Sequence, residues 1–229
     1  MTPKYELLQH PYTRGSETIY QIKALRDFSD VKAGDLGGYI STEENLSHDG
    51  DCWLYQQSVA CEKSKVKDDA KLYGTSTLFD YAVAYNNAIL KDDAELSDCA
   101  RIGGDAMAKD NCLLHDHIVV TDQSVIRGNA DLSGEIFVSG HSDISGDVEL
   151  FDNERLHNAH ISSDEQVLFI ASHFGQFTFY QNNKGELQLS VGRLNEPVDD
   201  QLVAKIMAKT TEFDPTTMIT FAKATVKLQ

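Results

Sequence analysis

His115 and His117 stand two residues apart, and an offset of eighteen residues from each lands on side chains of complementary chemistry. From His115 the offset reaches Ser97 and Ser133; from His117 it reaches Cys99 and Glu135. Four acids obey the same spacing: Glu62, Asp80, Asp98 and Asp116. Imidazole titrates near neutrality and can move a proton, so His115 and His117, with Glu135 beside them, are the candidates for general base work. Cys99, His117 and Glu135 are also ligand types for a divalent ion. Ligands repeating about 4.8 Å apart along one wall surround an ion poorly, however, so no metal is expected. The sequence has no Ser/His/Asp triad signature, phosphate-binding glycine loop or zinc spacing. With eight histidines in 229 residues, a close pair needs no catalytic explanation. The residues alone point to no catalysis at this corner and to no cofactor.

The offset matters because the chain repeats every six residues. From Leu54, every sixth residue is aliphatic: Leu54, Ala60, Val66, Leu72 and onward through Ile144 to Leu150. Four positions later runs a second series, small or apolar from Ser58 to Val148 and broken by Glu154. Between them fall pairs such as Asp68-Asp69, Asn86-Asn87, Gly104-Asp105 and Gly128-Asn129. A period of six fits neither a 3.6-residue helix nor a hairpin meander. It fits a short strand and a corner, with the large aliphatic side chain inside and the small one where the wall bends. Asp, Asn and Gly accept the left-handed backbone that a tight corner needs. Three hexads make a triangular coil of eighteen residues, so seventeen hexads give just under six coils, about 27 Å of stack. The expected fold is an all-β solenoid, a left-handed parallel β-helix over residues 54–155. Residues 1–53 are read as an N-terminal cap and residues 156–229 as a C-terminal α+β extension.

The Gly and Asp positions fall two residues after the aliphatic one, as in Leu72-Tyr73-Gly74 and Ile144-Ser145-Gly146. The segment IKALRDFSDVKAGDLGGYISTEENLSHDGDCWLY, residues 22–55, precedes the hexads. With these features the chain resembles the YdcK-like family within the LpxA-like hexapeptide-repeat superfamily, a family common in enterobacterial genomes and prophages. The resemblance implies the fold, side-by-side packing as a trimer, and a phage or prophage origin. It also implies an alternative activity, acyl transfer at a trimer interface. There, a histidine such as His115 or His117 would be the base and acyl-CoA, held between subunits, the donor. Enzymes of that superfamily interrupt their coils with a covering loop, and these hexads run without an insertion.

In the flanks, Tyr20–Leu25, Val167–Ile170 and Gln176–Tyr180 read as strands, and Asn182–Gly185 as a hairpin turn into Glu186–Gly192. A helix is expected from Pro197 and Asp199-Asp200 to about Lys209, and another after Pro215. The net charge is −16, with 19 acids against 9 bases in residues 54–155. Nucleic-acid binding needs the opposite sign, so none is expected. No apolar run is long enough for a membrane, and four cysteines (Cys52, Cys61, Cys99, Cys112) without metal spacing suit a reduced cytoplasmic protein.

On the outer faces, Ile89, Met107 and Val125 form one apolar stripe, and Val83, Val119 and Phe137 a second. Such stripes need cover, from the chain's own termini or from other copies of it. Asp80, Asp98 and Asp116, and the basic strip Lys91, Lys109 and Arg127 continuing from Tyr55 and Tyr73, are candidate ligand or partner surfaces. The function expected from these features is a non-catalytic binding or assembly protein. It would present a rigid acidic solenoid to an unidentified protein or small ligand, as an inhibitor of a host component would.

Overall fold

In a computed structural model of the chain, the described residues are 3–151, 154–172, 175–192, 194–207 and 215–228. Hexads become two-residue strands, each hydrogen-bonded in parallel to the strands eighteen residues before and after it. Three walls result, forming a parallel β-solenoid of about seven turns. Every member of the aliphatic series from Leu54 to Leu150, taken at steps of six, is buried, and so is every member of the small series from Ser58 to Glu154. The two inward series thus fill one continuous core.

The corners repeat as strictly as the core. Every sixth residue from Gly50 to Gly146 has positive φ, between 52° and 85°. Asp, Asn, Glu, Gln or Gly stands at each. This conformation costs an ordinary L-residue 1–2 kcal/mol, and short polar side chains or glycine bear it best. Backbone bonds between coils use the N–H groups of the residues on either side of the corner, as in Lys63 to the Asp80 carbonyl at 2.9 Å and Tyr81 to the Asp98 carbonyl at 2.8 Å.

The ladder outruns the hexads at both ends. Tyr39 and Ile40, of the strand Leu36–Ile40, pair in parallel with Val59 and Ala60, and Leu46 bridges to Val66. That first coil is twenty residues round instead of eighteen, so a search at a fixed period of six misses it. At the other end Arg155–His157 pairs with Phe137–Ser139, and His160–Ile161 with Asp143–Ile144. Ile144 meets Ile161, a step of seventeen, which again breaks the period.

A hairpin of Tyr5–Arg14 and Glu17–Ala24 continues one wall antiparallel beyond the first coil. Beneath it Phe28 and Tyr5 meet Trp53 edge to face, with centroids 5.3 and 6.3 Å away, closing the core. Gly38 is required here: a Cβ would lie 2.3 Å from the Ser58 carbonyl oxygen.

Past the last coil, four antiparallel strands (Val167–Ser172, Gly175–Gln181, Leu187–Val191 and Leu194–Pro197) form a separate sheet. Val167, Phe169 and Tyr180 pack on the solenoid core. Phe177, Phe179 and Leu189 belong to a second core with Leu202 of α1 (Asp200–Met207) and Met218 and Ile219 of α2 (Pro215–Thr225). Pro197 ends a strand instead of opening the helix, and Lys209 lies outside the described residues. Among the described residues no helix is long and apolar enough to cross a membrane. The four cysteines are free thiols, and burial pushes Cys61 up to about 11 and Cys112 up to about 12.

Leu114 is 1% exposed and stacks between Leu96 and Leu132. Leu114→Ala should lower unfolding stability by about 2–5 kcal/mol in a urea titration, as emptying a core leucine site does.

Candidate functional site

The eighteen-residue offset holds at the His115 corner. The His115 amide bonds the Leu132 carbonyl and the Ser97 amide the Leu114 carbonyl, so Ser97, His115 and Ser133 stand in register. Cys99, His117 and Glu135 form the neighbouring column, with His117 exposed. The ring contacts, however, go elsewhere. His115 Nε2 lies 2.8 Å from Asp131 Oδ1, and Nδ1 lies 3.7 Å from Asp116 Oδ2. A base needs one ring nitrogen oriented and the other open to substrate; here both face carboxylates. Asp131 was not among the sequence candidates. It follows from geometry: the residue just after an inward aliphatic meets the residue just before the inward aliphatic of the next coil, sixteen positions on. Arg127 and Asp143 repeat that step, with two bonds of 2.9 Å.

Asp98, His115 and Asp116 bring ligand atoms within 4.8 Å of one another, the one such group among the described residues. Their carboxylates already have a role. Asp80 accepts the Asp98 amide at 3.2 Å, Asp98 accepts the Asp116 amide at 3.2 Å, and Asp116 accepts the Gly134 amide at 2.9 Å. Each acid of this ladder caps the corner of the following coil with one oxygen.

The aromatic–basic column is also engaged. Tyr55 and Tyr73 stack at 4.4 Å, and Lys91 lies over the Tyr73 ring. The Tyr55 hydroxyl donates to Asp30, which with a bond from Lys71 holds that carboxyl down to about 2. Ile89, Met107 and Val125 are consecutive on their wall and half-buried, between Lys71 and Asp143. The second stripe is interrupted: Arg101 sits between Val83 and Val119. Beyond Val119, Phe137 lies under the Arg155 guanidinium, 5.5 Å from the ring centre.

A constellation beyond the hexads lies where the last coil meets the C-terminal sheet. Ser139 Oγ and His157 Nδ1 are 3.0 Å apart. The His157 amide donates to the Tyr180 hydroxyl, which donates to Asn195 Oδ1, while the Asn195 amide reaches the Arg155 carbonyl. A cavity of about 250 Å³ opens there. One more step of eighteen from Ser139 reaches His157, so this pair lies on the repeat, just past the Glu154 that breaks the small series.

No family model matches the sequence. A stretch of 72 residues, 31% of this chain, is 36% identical to YdcK of Escherichia coli (strain K12), described as an uncharacterized acetyltransferase. The chain spans about 22% of the length of that relative. The similarity agrees with a hexapeptide-repeat solenoid.

The His115 contacts with Asp131 and Asp116 are partly exposed, and contacts of this kind are worth about 0–1 kcal/mol. The double substitution His115→Ala, His117→Ala should therefore shift thermal unfolding by no more than a few degrees, and circular dichroism should keep its β signal.

Proposed function

We propose that this chain is a non-catalytic binding and assembly protein, acting as a homo-oligomer, most simply a trimer of solenoids packed side by side. The observation that carries this reading is the unbroken stripe Ile89–Met107–Val125, half-exposed on an otherwise polar wall. Contiguous exposed apolar surface on a soluble protein marks an interface. The acidic ladder faces outward on the corner between the other two walls, with one oxygen of each carboxylate free of the corner bonds, and suits a partner carrying basic groups. The test is light scattering. Wild type should exceed the 25.4 kDa of one chain, and Met107→Glu should return it to that mass. A wild-type monomer at high concentration would contradict the reading.

A second reading, acyl transfer, is favoured by the similarity to a protein named an acetyltransferase and by the Ser139–His157 pair, in which the hydroxyl orients the ring. Its base would be His157 in place of His115 or His117, and its donor acyl-CoA. On the leading reading, wild type turns over no acetyl-CoA with simple amine or hydroxyl acceptors. Transfer that vanishes in His157→Ala would install the second reading in its place.

A further inference from the structure

The cavity beside His157 differs in charge from the body around it. Its described lining includes Phe137, Ser139, Arg155, His157, Leu194 and Asn195, and no acid, on a chain with 36 acids. The adjoining groove of about 550 Å³, by contrast, carries Asp105 and Asp122. Arg155 is exposed and rests over the Phe137 ring, and among the described residues no carboxylate pairs with it. Arg127, on another wall, is by contrast taken up by a two-bond pair with Asp143. A guanidinium lying over a ring can keep its N–H edge for a carboxylate or phosphate, which it can grip with two bonds.

The surroundings are rigid where a ligand would need them to be. Ser139 is 7% exposed, and its hydroxyl fixes one nitrogen of the His157 ring. No other bond holds that ring among the described residues, so its second nitrogen is uncommitted. The Asn195 side chain is held at both ends: its oxygen takes the Tyr180 hydroxyl at 2.9 Å and the Gln188 amide at 2.6 Å, and its amide reaches the Arg155 carbonyl at 3.1 Å. Asn195 therefore holds the strand Leu194–Pro197 against the last coil as the second wall. Leu156 and Leu194 supply apolar sides. A cavity of about 250 Å³ is smaller than sites for drug-sized ligands, which start near 300 Å³, and leaves room for about one ring.

We propose that this cavity binds a small molecule bearing one anionic group, carboxylate or phosphate, on a flat apolar body. Arg155 receives the anion, His157 assists with its uncommitted nitrogen, and Phe137 and Leu194 flank the body. The proposal deepens the binding-protein reading and rests on it for the absence of turnover, but not for the site itself.

The test is calorimetric titration of the full chain with phenyl phosphate, with benzoate as the carboxylate arm and phenol as the neutral one. At least one anion should bind saturably with Kd of about 1 mM or below. Phenol should bind about tenfold more weakly or not at all, because it lacks the charge-assisted bonds. Arg155→Gln should weaken the anion by about tenfold, Arg155→Lys by less, and Arg127→Gln not at all. Ser139→Ala, which removes only the ring's anchor, should weaken binding with an unchanged melting temperature. Saturable binding by neither anion would overturn the proposal, as would equal binding of phenol or full affinity in a folded Arg155→Gln. Displacement of phenyl phosphate by coenzyme A would uphold the site and identify its anion as a donor phosphate. Failure to displace would uphold it as a site for a free small acid. A monomer in light scattering with intact anion binding would remove the assembly reading and leave the site standing.

Discussion

A backbone turn repeated every six residues governs this molecule. At each corner from Gly50 to Gly146 the chain takes positive φ, and the side chain there decides whether the coil above is closed. Where that side chain is a carboxylate, it accepts the amide of the corner one coil further on. Glu62 does so for Asp80 at 2.9 Å, Asp110 for Gly128 at 3.0 Å, Asp116 for Gly134 at 2.9 Å and Asp122 for Gly140 at 2.8 Å. Most of these bonds are solvent-exposed, so each contributes no more than the roughly 0.5–1.5 kcal/mol of an ordinary hydrogen bond, repeated along the stack. Much of the negative charge is thus tied to the corners. Like charges stacked at about 4.8 Å repel, and the amide bonds are what make the stack tolerable.

The same constraint decides what could be seen in the sequence. Inward positions were legible because the interior takes only aliphatic or small side chains there. Leu54 through Leu150 and Ser58 through Val148 obey that rule without exception; Glu154 breaks the small series, while the step of eighteen holds through His157. Outward positions were legible in register but not in contact. The column Ser97–His115–Ser133 exists, yet His115 turns toward Asp131, because side chains on a flat wall lean along the strand and reach a diagonal neighbour. The second apolar stripe failed for a simpler reason: Arg101 belongs to the same register and separates Val83 from Val119. The first and last coils were hidden by loops of twenty and seventeen residues, which keep the ladder while shifting the period.

Those irregular coils are also where the chain gains chemistry that the regular body lacks. Within the hexads the corner acids bond the backbone, Arg127 pairs with Asp143, and Tyr55 and Lys71 bond Asp30 of the N-terminal cap. At the C-terminal junction a second sheet meets the last coil, and there Arg155, His157 and Ser139 surround open space. A uniform repeat gives a stiff stack with interchangeable walls. Its distinct surfaces are the apolar stripe at mid-length and the cavity at the end, which are the features on which a binding role depends.

The most direct measurement of the corner account is amide hydrogen exchange by NMR at Gly134 in wild type and in Asp116→Ala. If the carboxylate is the acceptor that closes this corner, the Gly134 amide should be protected in wild type and exchange at least about tenfold faster in the variant, while Leu114 and Leu132 in the core strands stay protected. Equal exchange at Gly134 in both proteins would contradict it.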